Sequence, residues 1–405
     1  MEKINVLLNT IPIIQQKAGI GYYTYNIYKN IKKFNSIKIY ASHELMKEVT
    51  TTDKIIKRIS NNLKKILKER YPTEIAARTY DTLILPAKTI STKKLKNIVN
   101  AINIYHETKH EVFKEMIPYL DRMKFIVDIH DLSPIIYPEW HLKNLVRRVR
   151  ENFELLLSAD KILTKSNFIK KQLINEFNVQ EEKIVVIPNS TGGNYYPIDY
   201  KLIPESRKKL KSIIGDNKFI LYTGTIEPRK NLITLFNAFK LLVSNPGYKD
   251  LRLVLAGKFG WKYNNILLHP KEIGIKDKVL FLGYISEETL LYLYNLCEFF
   301  VYPSWYEGFG IPPLEAMSCG TIPLVSNSSS LPEVVGDCGL LFDPESSEDL
   351  YEKMKYLMLL SKDEKKHLEN RCLDRAKKFN WKDISKRIVQ VYQEIYNENK
   401  QENNK

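Results

Sequence analysis

The 405-residue sequence has few of the features that mark membrane-spanning, secreted or disulfide-rich proteins. No apolar run reaches the roughly 18 residues that a transmembrane helix needs, and the N-terminal segment lacks a basic leader followed by a small-residue cleavage site. The four cysteines show no Cys-x-x-Cys spacing. These absences predict a protein without a spanning helix or signal peptide, with free thiols in a reducing compartment such as the cytoplasm.

Charge of both signs is present, but it is unevenly distributed. The formal net charge is +15, and residues 1–100 contain 19 of the 62 Lys and Arg residues but only 7 of the 47 Asp and Glu residues. A local basic surplus suits an acidic partner such as nucleic acid, anionic lipid or a phosphorylated substrate. A lysine-rich, solvated surface is the alternative explanation.

Short apolar, β-branched segments alternate with helical patterns along the chain, which predicts parallel sheets covered by helices on both faces. The length exceeds one ordinary core, and the Gly-, Pro- and Tyr-rich segment 190–206 reads as a linker. We therefore predict an α/β protein of two doubly wound domains, with a ligand in the cleft at the carboxyl ends of the strands. The predicted strands are 4–8, 37–41, 82–86, 102–106, 124–130, 161–166, 183–189, 219–224, 251–257, 279–284, 299–304, 321–327 and 339–344.

The segment YEGFGIPPLEAMSCG follows a predicted buried strand and contains Glu307 and Glu315, eight residues apart. The intervening glycines permit a sharp bend and close approach to a ligand, and Pro312 and Pro313 suit the first turn of a helix. We predict Glu307 on the loop and Glu315 in the first helical turn, both facing the cleft. The helix start favours a pyrophosphate, and a carboxylate can accept hydrogen bonds from two ribose hydroxyls. A glutamate that only complements the helix dipole would explain Glu315 alone.

Three further segments carry candidate ligand-binding residues just after predicted strands. LYTGTIEPRKN contains Arg229 and Lys230, two cations that can hold a diphosphate. KAGIGYY contains Gly19 and Gly21, which allow the backbone to approach a phosphate. VDIHDLS contains His130 at a strand end. Taken singly, each also fits an ordinary structural role, as loop charge, a turn glycine or a core histidine.

Together the four segments resemble glycosyltransferase family 4, whose members have the GT-B fold. The similarity covers nearly the whole chain, and it is strongest over residues 219–344, where YTGTIEPRKN, YPSWYEGFGIPPLEAMSCG and SSLPEVVGDCGLLFDP follow the family pattern. The resemblance implies retaining transfer of a hexose from a nucleotide sugar to an acceptor, without a metal or other cofactor. No Asp-x-Asp pair occurs, in agreement with metal independence.

The resemblance also implies roles for individual residues. Glu307 would contact the transferred sugar, Glu315 the ribose hydroxyls, and Arg229 and Lys230 the diphosphate. Whether Glu307 acts as a nucleophile or positions the sugar stays open, with positioning favoured. The implied catalytic residues are Glu307 and His130, and the implied donor-binding residues are Arg229, Lys230, Glu315, Gly19, Gly21, Phe309, Gly310 and Ile311.

Two positions depart from the pattern of some family members. Thr225 stands where some carry a basic residue after the glycine of the phosphate-binding strand, which leaves more of the charge to Arg229 and Lys230. Tyr22 stands where some carry an arginine, so acceptor contacts of that loop stay open.

The resemblance also gives domain boundaries. We expect an acceptor-side domain over residues 1–195 and a donor-binding domain over residues 215–375. The final helix, 381–400, has an apolar stripe that includes Ile384 and Ile388, and it is expected to return and pack on the first domain.

The motif variants resemble those of bacterial mannosyl- and rhamnosyltransferases of surface polysaccharide assembly, lipopolysaccharide included. This favours a GDP-linked sugar such as GDP-mannose and a glycan or polyprenyl-linked glycan acceptor. A UDP-sugar donor and a sugar-nucleotide epimerase remain alternatives. A basic lipid- or nucleic-acid-binding module is the non-enzymatic alternative, although no basic-aromatic recognition motif for nucleic acid occurs, and we expect no nucleic-acid partner.

The segment 54–71 reads as a helix with an apolar stripe on one side and six Lys and Arg residues on the other. This pattern is typical of a helix lying among lipid headgroups, and equally of a helix that packs on the first sheet. We therefore expect a cytoplasmic protein, and peripheral attachment to the inner face of the membrane is an additional hypothesis.

Overall fold

The structure, a computed structural model, describes residues 3–15, 19–45, 92–198 and 214–403. Twelve strands within these ranges form two six-stranded sheets, one in each half of the chain. Each predicted strand in the described ranges is present, usually one to three residues shorter at its ends. The predicted strand 82–86 and the predicted helix 54–71 lie outside the described residues.

The first sheet has the strand order β2-β1-β3-β4-β5-β6, and all of its strands are parallel. Its elements are β1 (Ile4–Leu8), α1 (Ile11–Gln15), α2 (Ile20–Ile31), β2 (Ile37–Ala41), α3 (Thr92–Lys96), β3 (Ile104–Glu107), β4 (Lys124–Ile129), α4 (Ser133–Ile136), α5 (Lys143–Leu157), β5 (Lys161–Thr164), α6 (Asn167–Phe177) and β6 (Ile184–Val186).

The second sheet has the order β12-β11-β10-β7-β8-β9 and is also parallel. Its elements, and the helices that follow them, are β7 (Phe219–Thr223), α7 (Leu232–Val243), β8 (Arg252–Ala256), α8 (Asn264–Glu272), β9 (Val279–Gly283), α9 (Glu287–Leu296), β10 (Phe300–Tyr302), α10 (Ile311–Ser318), β11 (Pro323–Ser326), α11 (Leu331–Val335), β12 (Leu340–Phe342), α12 (Ser347–Leu359), α13 (Lys362–Lys377) and α14 (Trp381–Asn403).

The strand order of the second sheet reverses between β7 and β10, which are neighbours although they are not consecutive in sequence. In open parallel sheets, the loops that leave two such strands diverge to opposite faces and open a crevice at their carboxyl ends. These two loops contain the two strongest sequence motifs, at residues 225–230 and 305–310. The topology therefore brings the motifs to one edge of the sheet.

The C-terminal helix α14 packs on the first sheet rather than on the second. Its apolar stripe, which includes Ile384, Ile388 and Ile395, is buried in one cluster with β1 residues such as Val6 and with Tyr23 of α2. The helix thus crosses from one half of the molecule to the other. Its first residues lie near the cleft as a result.

Contacts between the halves hold the cleft closed on one side. The Tyr306 hydroxyl donates to Gln172 Oε1 over 2.6 Å and accepts from the Leu132 amide over 3.3 Å. A β-carbon at Gly308 would lie 1.8 Å from the His130 carbonyl oxygen, so only glycine fits this approach between the two backbones. The Glu307–Gly308 loop is therefore pressed against the end of β4.

The described residues include no helix that is both long and apolar enough to cross a bilayer. All four cysteines are buried, and none is in a disulfide.

Candidate active site

A cavity of about 360 Å³ lies between the halves, at the carboxyl ends of the strands. Gly19 and Tyr23 line it from the first half, and Gly224 and Thr225 line it from the loop after β7. The start of α10 forms part of the wall through Ile311. A ligand in this cavity would contact segments from both halves.

Three charged side chains line this cavity as far as the structure describes it: Lys230, Glu287 and Glu315. Lys230 ends a short 3₁₀ turn, Pro228–Lys230, after β7. Glu287 begins α9, and Glu315 lies in α10. One cation and two carboxylates thus face the same space from three different loops or helices.

Lys230 and Arg229 are joined by the Glu307 carboxylate. Lys230 Nζ lies 2.5 Å from Glu307 Oε1, and Arg229 Nη1 lies 3.1 Å from Glu307 Oε2. Lys230 also donates to the Tyr302 hydroxyl over 2.8 Å, and Arg229 donates to Glu227 Oε1 over 2.9 Å. The four charged side chains, that of Glu227 included, are therefore largely buried, and each carboxylate is paired with at least one of the two cations.

The cluster fixes the charge of Glu307. Burial by itself would raise the pKa of Glu307, but Arg229 and Lys230 lower it to about 2. Burial and the neighbouring Arg229 lower the pKa of Lys230. Glu307 lies behind Lys230 and is not among the described residues that line the cavity. The expectation that both glutamates face the cleft is therefore corrected. Glu315 faces the cavity, whereas Glu307 faces Arg229 and Lys230.

Glu315 has a different environment, without a cation. Its Oε2 accepts a hydrogen bond from the Tyr294 hydroxyl over 2.8 Å, and Tyr294 is linked in turn to Thr223 Oγ1 over 2.7 Å. Burial raises the pKa of Glu315 to about 7, against the opposing effect of hydrogen bonds from Tyr294 and Tyr195. Because α10 begins at Ile311, Glu315 lies in the second turn and not the first.

His130 directly follows β4, is half-buried and lies behind Tyr23, whose ring it meets edge-on at 5.0 Å. Its Nε2 donates to the Thr108 carbonyl oxygen over 2.9 Å. Burial and the nearby Lys165 lower the pKa of His130 to about 3, so the ring is neutral near pH 7. Like Glu307, His130 is not among the described residues that line the cavity.

The glycine and amide candidates lie at different places relative to the cavity. Gly19 lines the cavity, but Gly21 lies inside α2 because that helix already begins at Ile20. Gly310 precedes α10 with a φ of 104°, a conformation that favours glycine, and Phe309 is buried. Ile311 keeps its amide hydrogen, but Pro312 and Pro313, which follow it, have none, so the helix offers an anion fewer donors than an ordinary N-terminus.

Sequence reasoning missed the aromatic residues of the site. Tyr23, Tyr195, Tyr284 and Trp381 all line the cavity. Tyr195 comes from the segment that the sequence identified only as a linker, and Trp381 is the first residue of α14. Two local signals could have indicated these residues: their aromatic character, and their position next to motif glycines or at the ends of helices and strands. Neither signal is specific for a ligand-binding residue.

No group of three His, Cys, Asp or Glu residues in the described part of the chain is arranged to hold a metal ion.

Comparison with known proteins identifies the family. A family model described as "Glycosyl transferases group 1" matches residues 204–379. The O-antigen chain mannosyltransferase B of Escherichia coli is 30% identical over 399 residues, which cover 96% of this chain and 99% of that protein. The chain belongs to the group 1 glycosyl transferases. The serotype-specific mannosyltransferase WbdA of Escherichia coli is 33% identical over 64% of this chain and 32% of its own length.

A solved structure supports the fold of this glycosyltransferase. Anabaena HepE, in complex with UDP-glucose, has a TM-score of 0.66 and 16% identity, with coverage of 96% of this chain and 100% of that chain. The two facing parallel sheets confirm the predicted GT-B fold. The matched segment 204–379 contains Lys230, Glu307 and Glu315, whereas Gly19 and His130 come from the other half.

Proposed function

We propose that this glycosyltransferase is a retaining, metal-independent enzyme that transfers a hexose from a nucleotide-sugar donor to a glycan or lipid-linked glycan in cell-surface polysaccharide assembly. The observation that carries the proposal is the cavity between the sheets, which combines a buried lysine, a glycine loop and a cation-free glutamate. The lysine and the glycine loop suit a diphosphate, and the glutamate suits the hydroxyl groups of a ribose. The names of the two Escherichia coli relatives support the choice of pathway class.

The lining suggests an order for the parts of the donor. The diphosphate would lie near Lys230 and the backbone at Gly19, where a charge-assisted hydrogen bond is available. The ribose hydroxyls would donate to Glu315. The base would then lie toward Tyr284 and Glu287, the lining residues after β9.

The chemical step follows from these charges. Negative charge grows on the leaving diphosphate, and Lys230, whose side chain is largely buried, would stabilise it. The sugar develops oxocarbenium character, and Glu307, whose carboxylate stays ionised behind Lys230, would act on it electrostatically. A carboxylate already held by Arg229 and Lys230 is a poor nucleophile, so we assign Glu307 to positioning and electrostatic stabilisation.

Two observations favour a GDP-linked donor, with GDP-mannose as the first candidate. Both Escherichia coli relatives are named mannosyltransferases. In addition, guanine presents two adjacent N–H donors on one edge, which suit an acceptor-only carboxylate such as Glu287. Uracil offers a single N–H donor there. The HepE complex with UDP-glucose keeps a UDP-sugar as the alternative.

The test is a screen of the purified full chain with GDP and UDP and with GDP- and UDP-linked hexoses. Thermal shift reports binding, and release of nucleoside diphosphate from the sugar nucleotide reports turnover in the absence of acceptor. We expect stabilisation by GDP and slow hydrolysis of GDP-mannose. Preference for the UDP series would overturn the donor assignment, and conversion of a sugar nucleotide without diphosphate release would identify an epimerase.

The hypothesis of membrane attachment concerns the segment 54–71 and stays a proposal. Its six cations could each gain roughly 1 kcal/mol near anionic lipid at low salt. Vesicle sedimentation compares the natural protein with a variant carrying glutamate at Lys57, Lys64, Lys65 and Lys68. We expect only the natural protein to pellet with anionic vesicles, and equal pelleting of both would reject the segment as the anchor.

A further inference from the structure

A fully buried polar cluster lies directly behind the cavity wall in the first half. Asp128, at the end of β4, accepts hydrogen bonds at Oδ1 from the Tyr23 hydroxyl over 2.6 Å and from Lys165 Nζ. Its Oδ2 meets His106 Nε2 at 3.0 Å. The far nitrogen of His106 bonds the Tyr392 hydroxyl of α14 over 2.7 Å. The cluster therefore connects the sheet, α2 and the C-terminal helix.

The charges in this cluster are fixed by their pairing. Asp128 and Lys165 have no exposed side-chain surface. Burial by itself would raise the pKa of Asp128, but Lys165 and His106 hold it well below its usual range. A buried ion pair of this kind is weak support for stability, because apolar residues of similar volume often serve as well. Its presence here points to a requirement for one fixed geometry.

Tyr23 is the member of the cluster that reaches the cavity. Its amide donates to the Gly19 carbonyl over 3.1 Å, so it lies one helical turn after the glycine of the donor loop. Its ring meets His130 edge-on at 5.0 Å and lies 5.9 Å from the Trp381 ring. Lys165 Nζ lies 3.7 Å from the centre of the same ring. Tyr23 is thus held at its hydroxyl and at its ring by the buried ion pair.

We propose that Tyr23 is a positioning residue of the donor site: the Asp128–Lys165 pair fixes its hydroxyl, and its ring sets the place of His130 and of the cavity wall between Gly19 and Trp381. This inference rests on the proposed glycosyl transfer at the same cavity. Neither Tyr23 nor the ion pair touches the reacting atoms in this assignment. Their effect is on geometry, to which transfer rates are sensitive at the scale of about 1 Å.

The decisive variant is Tyr23→Phe, which keeps the ring and removes only the hydroxyl. Donor hydrolysis without acceptor is measured well below the unfolding temperature. We expect kcat to fall about tenfold, while KM for the donor changes less than threefold, because His130 and the wall lose their fixed place but the diphosphate and ribose contacts remain.

Tyr105→Phe is the matched control. Tyr105 is also fully buried in the first half, and its hydroxyl also donates to a buried carboxylate, Glu107 Oε2, over 2.6 Å. It is not among the described residues that line the cavity. Both variants should lower the unfolding temperature to a similar extent, but only Tyr23→Phe should change kcat.

Two further variants keep the proposal testable within the cluster. Tyr392→Phe removes the hydrogen bond to His106 on the far side and should leave kcat nearly unchanged. Lys165→Arg keeps the ion pair but moves the cation from the centre of the Tyr23 ring, so it should lower kcat in the same direction as Tyr23→Phe. Lys165→Arg also tests the proposal if Tyr23→Phe does not fold.

The outcomes separate this inference from the proposed function. If the natural protein neither binds nor hydrolyses any sugar nucleotide, the proposed function fails, and this inference fails with it. If the natural protein is active and folded Tyr23→Phe matches it in kcat, only the positioning role is overturned. An equal fall of kcat in Tyr105→Phe would reduce the effect of Tyr23 to general stability and would also overturn the role.

Discussion

Glu307 and Glu315 are the same residue type, lie eight residues apart and flank one loop-to-helix junction, yet their surroundings differ completely. Glu307 is held between Arg229 and Lys230, and its pKa is lowered to about 2. Glu315 is bonded by tyrosine hydroxyls, and burial raises its pKa to about 7. The first carboxylate stays charged at any physiological pH, whereas the second titrates within that range.

The comparison shows that one short segment supplies two carboxylates with different chemical properties. A carboxylate that shares two cations can stabilise positive character on a sugar without reacting with it. A carboxylate that is hydrogen-bonded only by hydroxyl groups can still accept hydrogen bonds from the hydroxyl groups of a ligand. Two cations from the β7 loop therefore decide the difference. Four predictions test it, from the largest expected effect to the smallest.

Glu307→Gln should have the largest effect, because it removes the counter-charge of Lys230 and leaves Arg229 paired only with Glu227. Breaking a buried pair from one side costs about 3–5 kcal/mol, and a glutamine that keeps one of the two hydrogen bonds through its amide oxygen should approach the lower end. We expect a lower unfolding temperature and a fall in kcat of about a hundredfold. Steady-state kinetics and thermal unfolding measure both.

Glu298→Gln is its control, since Glu298 also lies between two lysines, Lys218 at 3.0 Å and Lys365 at 3.3 Å, away from this cavity. It should leave kcat unchanged. An increase in KM alone for Glu307→Gln would contradict the assignment of Glu307 to the transition state.

Lys230→Ala should weaken binding of both the donor and the nucleoside diphosphate. A charge-assisted hydrogen bond contributes about 1.5–3 kcal/mol, which corresponds to at least about tenfold in affinity. Calorimetric titration with the nucleoside diphosphate measures the loss. Lys240→Ala, at an exposed lysine of α7, is the matched control and should bind normally. Normal binding by folded Lys230→Ala would remove Lys230 from the diphosphate site.

Glu315→Gln should weaken donor binding about tenfold and leave kcat nearly unchanged. The ribose lies far from the reacting carbon, so its contact contributes equally in the ground and transition states. The signature is therefore a raised KM, opposite to that of Glu307→Gln. If both variants showed the same signature, the division of roles between the two glutamates would be wrong.

The pH dependence of binding should report Glu315 with a smaller amplitude. Its pKa is raised to about 7, so the carboxylate is mostly protonated at pH 6 and mostly ionised at pH 8. Ribose hydroxyls donate to the ionised form, and affinity should therefore rise by up to about tenfold from pH 6 to pH 8.

Glu315→Gln is the internal control for this titration, because phosphate groups of the ligand also titrate near pH 6. Only the difference between the natural protein and Glu315→Gln belongs to the glutamate. Parallel pH profiles of the two proteins would show that Glu315 does not titrate in this range.

Much of the architecture could be predicted because it depends on local patterns. Apolar β-branched segments, each followed by a helical pattern, indicated the parallel sheets, and every predicted strand within the described residues is present. Pro312 and Pro313 were predicted in the first turn of a helix, and they lie in the first turn of α10. Such signals are local in the chain, since they reflect backbone conformation and alternate burial.

The site was predicted less completely, since its partners are distant in sequence. The Lys230–Glu307 bond joins residues 77 positions apart, and the His106–Tyr392 bond joins residues 286 positions apart. No local pattern encodes such pairs. For this reason the motifs located Lys230, Glu307 and Glu315 but did not predict that Glu307 turns toward the cations, nor that Tyr23 and Trp381 form a wall.

The sequence by itself determined the α/β class, the two series of strands, the family resemblance and the positions of the two glutamates. The tertiary structure decided which glutamate faces the ligand space, which cation reaches it, and how a buried ion pair behind α2 supports the wall. The physical reason is that the charge state and direction of a side chain depend on burial and on neighbours from other elements. Those neighbours meet only when both sheets and the returning helix α14 are in place.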